Sequence, residues 1–208
     1  AEGIVYVGSE DNNIYALNAT NGEKIWNYVT GSDVHSSPAI TNGIVYIGSD
    51  DNNIYALNAT TGVKIWNYTT GHNVWSSPAI SNGVVYVGSV DSNIYALNAT
   101  TGEKIWNYAT GHYITSSPAI SNGIIYVGSQ DKNVYALNAT TGVKLWNYTT
   151  GWLVMSSTVI ANNIIYIGSN DGNVYALNAT TGEKIWDYAA EYGFYSSPAI
   201  ANGVVYIG

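Results

Sequence analysis

The residues of this chain that could do chemistry are few, and most recur at one spacing. Its histidines are His35, His72 and His112; the last two stand 40 residues apart, and His35 falls three places later in its own stretch. A structural transition-metal site takes about four ligands, and the chain has no cysteine, so no metal is expected. Asp11 returns as Asp51, Asp91, Asp131 and Asp171, each two residues before an asparagine. One carboxylate falls far short of the ~6–8 oxygens that calcium takes; an Asx turn is expected there instead. Ser36-Ser37 recurs too, without a His–acid partner in the pattern. Those hydroxyls are expected to bond within strands, not to act as nucleophiles. Asn18, Asn58, Asn98, Asn138 and Asn178 each open an Asn-Ala-Thr triplet, and Asn67 and Asn147 an Asn-Tyr-Thr one. All seven are candidate N-glycosylation acceptors, although five are also copies of a single turn. Tryptophan splits into two sets. Trp26, Trp66, Trp106, Trp146 and Trp186 keep one spacing and read as packing; Trp75 and Trp152 stand outside it.

Composition narrows the classes. The chain has 14 acidic and 6 basic residues, for a net charge of −8. That balance disfavours nucleic acid and anionic membranes. Cysteine catalysis and disulfides are excluded. No apolar run approaches the ~18–20 residues that span a bilayer, so membrane insertion is not expected. The opening Ala1-Glu2-Gly3 would suit a processed, exported form.

The elements that position these residues follow from the 40-residue period. Copies run 3–42, 43–82, 83–122, 123–162 and 163–202, and 203–208 begins a sixth. We read 1–208 as a single repeat domain. Within a copy, Gly43–Ser49 is an apolar, β-branched strand, Asn53–Asn58 a second and Lys64–Tyr68 a third. Ser36–Ile40 is a small-residue strand, with Pro38 at a strand end or unpaired edge. Turn residues punctuate every ten positions or so, and no window has a helical period. Four antiparallel strands in about 40 residues is the size of a propeller blade, which must stack on neighbours to bury its faces.

The run Ala16-Leu17-Asn18-Ala19-Thr20-Asn21-Gly22-Glu23-Lys24-Ile25-Trp26, with its copies from Ala56, Ala96, Ala136 and Ala176, resembles the tryptophan-docking motif of PQQ-like (quinoprotein-type) β-propellers, Ala-x-Asp-x-x-Thr-Gly-x-x-x-Trp. The motif's Asp is Asn in every copy, and its Thr is Asn21 in the first. The resemblance implies an all-β propeller of four-stranded antiparallel blades. It also implies that Trp26, Trp66, Trp106, Trp146 and Trp186 dock between blades, and that Ser36–Ile40 is the innermost strand. The quinone dehydrogenases of the family use eight blades, a vicinal cysteine pair, a calcium site and a catalytic Asp. Five repeats without cysteine look more like its non-enzymatic cell-surface members, so no cofactor and no catalytic residue are expected.

Five blades are expected, closed by pairing of Ser196–Ile200 with Gly3–Ser9. The copy at 203–208 is then spare and free to pair with another chain. Strand direction puts the second-to-third turns and the blade connections at one end, and the residues that differ between copies fall there. His35, His72, Trp75, His112, Tyr113, Trp152 and Tyr195 are the candidate ligand or partner face. Most acidic residues map to the same end, opposed by Lys132, so a cationic partner is favoured. The function expected is a non-catalytic scaffold or recognition module, extracellular or on the cell surface, binding a protein or carbohydrate. Two alternatives remain open: a subunit of a head-to-tail fibre or surface layer built by strand exchange, and a segment of a larger PQQ-type propeller.

Overall fold

The computed structural model describes residues 3–208; Ala1 and Glu2, on which the reading of a processed form rests, lie outside them. Strands fall where alternation and β-branching place them, in six antiparallel sheets. The first holds β1 (Ile4–Gly8), β2 (Asn13–Asn18) and β3 (Lys24–Val29). Four complete blades follow. They are β4 (Ala39–Thr41), β5 (Ile44–Gly48), β6 (Asn53–Asn58) and β7 (Lys64–Thr69); β8 (Ala79–Ser81), β9 (Val84–Gly88), β10 (Asn93–Asn98) and β11 (Lys104–Ala109); β12 (Ala119–Ser121), β13 (Ile124–Gly128), β14 (Asn133–Asn138) and β15 (Lys144–Thr149); and β16 (Val159–Ala161), β17 (Ile164–Gly168), β18 (Asn173–Asn178) and β19 (Lys184–Ala189). A two-stranded sheet, β20 (Ala199–Ala201) and β21 (Val204–Tyr206), ends the array. No helix occurs among the described residues, so none is long and apolar enough to cross a membrane. Pro38 sits just before the short inner strand β4, where no ladder needs its missing N–H.

Alternation explains why the blades stack. Val45 and Ile47 of β5 pack with Ile14 and Trp26 of the preceding sheet, while Tyr46 packs with Val85 and Val87 of the following one. Both faces of an inner blade are therefore buried, and each large side chain so covered contributes roughly 1.5–3 kcal/mol. A bulge between Ala56 and Leu57 leaves Ile65 unpaired on the outer strand, and the same bulge returns in every sheet that has that strand. It swings the following tryptophan toward the next blade. Trp26 Nε1 then donates to Ala59 O at 2.9 Å, and Tyr6 Oη donates to the same carbonyl at 3.0 Å. The ring lies over Gly62, where a Cβ would come within 2.8 Å of the indole. Trp66, Trp106 and Trp146 repeat the arrangement on Ala99, Ala139 and Ala179.

Trp186 does not. It is 39% exposed and has no acceptor among the described residues. Nor is a closing ladder between Ser196–Ile200 and Gly3–Ser9 seen among the described residues. β20 turns back through Asn202-Gly203 and pairs with β21.

Candidate functional site

The differing residues lie where each blade connection crosses the second-to-third turn of the next blade. Backbone bonds hold the crossing: Asp50 N–H donates to Asp33 O, Gln130 N–H to Tyr113 O and Asn170 N–H to Leu153 O, each at 2.9 Å. The apolar residue in the middle of every connection (Val34, Val74, Ile114, Val154, Phe194) is buried, which turns its neighbours outward.

The recurring aspartate forms the crossing's anchor. Asp51 Oδ1 accepts the Asn53 N–H at 3.0 Å, closing the Asx turn. Its Oδ2 accepts the Tyr55 hydroxyl and the Gly31 N–H of the preceding connection, both at 2.6 Å. Burial pushes this carboxyl up, but the Tyr55, Gly31 and Asn53 donors outweigh it and hold the pKa below its ordinary value. Asp131 and Asp171 behave alike. Burial and the aspartate push the Tyr55, Tyr95, Tyr135 and Tyr175 hydroxyls well up. These carboxylate oxygens are committed to protein donors, so they suit a structural turn and not a cation. The tyrosine four residues on was not anticipated from sequence, although the Asp-x-Asn-x-Tyr spacing is invariant and was open to view.

Around these anchors the junctions differ. At the first, His35 Nδ1 lies 3.2 Å from Asp50 Oδ2 and Nε2 lies 3.6 Å from Glu10 Oε1. Ligand atoms of Asp33, His35 and Asp50 lie within 4.8 Å of one another, the one such group among the described residues. Sequence spacing missed this cluster, because it assembles only where a connection crosses a turn. His35 also meets the Trp75 ring edge-on at 6.2 Å. The equivalent pairs elsewhere are a weak Gln130–Thr115 contact at 3.4 Å and an Asn170–Met155 contact at 3.5 Å.

The structure therefore brings His35 and Trp75 together, and separately His112 and Tyr113, whose rings lie 4.3 Å apart. His72 and His112 are not part of the Asp33–His35–Asp50 group; His72 Nδ1 accepts the Asn73 N–H at 2.9 Å. Trp152 is 51% exposed with Lys132 Nζ 4.4 Å from its ring centre, Trp75 is 39% exposed and Tyr195 is 69% exposed. On the inner strands, Ser37 N–H donates to Ser77 Oγ, and the link repeats through Ser117, Ser157 and Ser197 at 2.9–3.0 Å. The turn asparagines Asn18, Asn58, Asn98, Asn138 and Asn178 use Oδ1 to accept turn N–H groups, leaving Nδ2 unused among the described residues. Asn67 and Asn147 donate Nδ2 to Asn53 and Asn133 across the sheet.

A family model, PQQ_2, described as outer membrane protein assembly factor BamB, matches residues 1–76 and 69–207. The chain belongs to the PQQ_2 family. No curated protein matches its sequence. Among solved structures, this PQQ_2 chain is similar to BamB from Moraxella catarrhalis at 22% identity and a TM-score of 0.80, over 92% of this chain and 62% of that one. It superposes on the computationally designed Ika8 protein at 18% identity and a TM-score of 0.88, over 99% of this chain and 64% of that one. The quinohemoprotein alcohol dehydrogenase from Comamonas testosteroni matches at 20% identity and a TM-score of 0.80, over 90% of this chain and 41% of that one. The PQQ_2 chain thus spans less than two thirds of each, and at these identities the likeness shows a common propeller-like fold. The residues here do not suit an acidic quinone. The inner strands offer Ser, Pro, Ala, Ile, Thr and Val, and the adjoining end is rich in carboxylates with Lys132 as its cation.

Proposed function

We propose that this chain is a non-catalytic scaffold and recognition module of the cell surface, which binds a protein or carbohydrate through the acidic, variable end of its blades. The observation that carries this reading is the exposure of Trp75 and Trp152 at the end where the copies differ most. Exposed indoles beside polar groups suit sugar rings and peptide side chains alike. Glu10, Asp33 and Asp50 add negative field around them, which favours a cationic partner. The non-catalytic part is supported by the inner strands, which converge no acid–base pair, and by His35, whose ring nitrogens face carboxylates and no hydroxyl among the described residues. The family's link to outer-membrane protein assembly accords with a role at the cell envelope.

The test is direct. Soluble cell-wall polysaccharides and lysine-rich peptides are titrated against the chain by calorimetry, with Trp75→Ala and Trp152→Ala alongside. Binding that weakens about tenfold or more in either variant, at unchanged melting temperature, supports the reading. Absence of binding across both ligand classes, or binding indifferent to both substitutions, refutes it.

A further inference from the structure

The geometry points to a binding site for a divalent transition-metal ion at the first blade junction, with the Asp33 and Asp50 carboxylates and the His35 imidazole as its ligands. One ligand atom from each lies within 4.8 Å of the other two. Two ligands of a tetrahedral zinc, each ~2.0–2.1 Å from it, stand about 3.4 Å apart. His35 Nδ1 lies 3.2 Å from Asp50 Oδ2, so this pair is already spaced as one edge of such a tetrahedron. Glu10 Oε1 faces the other ring nitrogen, Nε2, at 3.6 Å. A ligating histidine usually gives its second N–H to a carboxylate, which fixes the tautomer and makes the ligand more basic. Glu10 is 81% exposed, so a side-chain movement can close that gap.

Two observations favour an ion over a plain ion-pair network. Asp50 Oδ1 is buried without a hydrogen-bond partner among the described residues, on a side chain only 13% exposed. A buried carboxylate oxygen left alone is costly. Asn170, in the same place three blades on, also leaves Oδ1 unpartnered, but a neutral amide asks only for a water there. The second observation is the ring itself. Neutral His35 has one proton to offer two carboxylates, so one nitrogen meets its oxygen lone pair to lone pair. A cation on Nδ1 removes that repulsion and answers the charge of both aspartates.

The fold does not need these charges. At the second junction Asn73, Trp75 and Val90 hold the same three positions, and Val90 is buried. The backbone sets the places whatever the side chains: Asp33 O accepts the Asp50 N–H at 2.9 Å and the Ser49 hydroxyl at 3.1 Å, and buried Val34 turns Asp33 and His35 outward. An imidazole beside carboxylates suits zinc, nickel or copper, whereas calcium takes ~6–8 oxygens. Three protein ligands leave one position for water or for a group from outside. The spacing of the histidines along the chain gave no sign of this site, because its ligands come from a connection and from the turn that it crosses. Metal binding here does not depend on recognition through Trp75 and Trp152.

Zinc titrated into the chelator-treated chain, followed by calorimetry, decides it. The wild type should take up about one zinc per chain, and its melting temperature should rise with zinc concentration. His35→Ala and Asp50→Asn should each weaken binding about tenfold or more, and Glu10→Gln about tenfold. A triple variant, Asp33→Asn with His35→Trp and Asp50→Val, copies the second junction; it should melt like the zinc-free wild type and take up no zinc. No uptake by the wild type at millimolar zinc, uptake undiminished in the triple variant, or calcium bound as tightly as zinc overturns the proposal. A nitrogen-15 spectrum in which His35 keeps protons on both ring nitrogens in excess zinc overturns it as well, because an imidazolium would then be what answers the carboxylates.

Discussion

On Asp131 four donors converge: the Tyr135 hydroxyl, the Gly111 N–H of the preceding connection, and the backbone N–H and side-chain Nδ2 of Asn133. An amide in its place keeps one acceptor and loses the charge, while the other donors are left half-satisfied. Asp131→Asn should therefore cost about 1–2 kcal/mol in urea denaturation, the lower range of charged hydrogen bonds because the group is partly solvated. Asp11→Asn should cost less, since among the described residues no glycine N–H reaches Asp11. The same bonds set the pH response. Asp51, Asp131 and Asp171 have folded pKa values below 3.8, so their stabilisation is present above that value and is lost as pH falls through the folded ones. Tyr55, Tyr95, Tyr135 and Tyr175 are raised above 10.0, so their contribution is intact below pH 10.0 and drains away above it. The melting temperature should be flat between these limits and fall on both sides; a decline centred near neutrality would contradict this account.

Between elements, the five repeat tryptophans differ only in the blade that each one meets. Trp106 donates to Ala139 O and stacks over Gly142, whereas Trp186 faces the open groove. Trp106→Ala should destabilise by ~3–5 kcal/mol through the cavity it leaves. Trp186→Ala, at a site already 39% exposed, should cost under ~1 kcal/mol. Equal losses would show that the neighbouring blade contributes nothing to the docking. The inner end of a blade is as tight: a Cβ on Gly88 would stand 2.2 Å from Ile114 Cγ2. Gly88→Ala should cost about 1–3 kcal/mol by overpacking, read from thermal unfolding.

The whole molecule is a nearest-neighbour array, and its stability should run down toward the ends. Four core clusters each join two successive sheets. Among the described residues, the β20–β21 hairpin has no outer strands beside it. In hydrogen exchange under dilute conditions, amides of β9, β10, β13 and β14 should be the last to exchange, and those of β20 and β21 the first.

Much of this was legible in the residues. The short apolar, β-branched runs in Gly43–Ser49 and Asn53–Asn58 place strands, because a strand covered on both faces needs apolar side chains on both. Asn-Gly and Asp-x-Asn place turns, because few residues accept positive φ or close an Asx ring. The inner position of β4 and the outer position of Trp66 followed from the resemblance. Other features depended on which connection lies over which turn: the Asp33–His35–Asp50 group, the Tyr–Asp–Gly anchor and the exposure of Trp75. Such contacts join residues some 15–20 positions apart, and a chain read linearly carries no sign of crossing angle or depth. Whether the terminal strands paired with each other or with their neighbours was likewise a tertiary matter. Near-identical strands can serve the same ladder, and a linear sequence does not say which of them lies beside it.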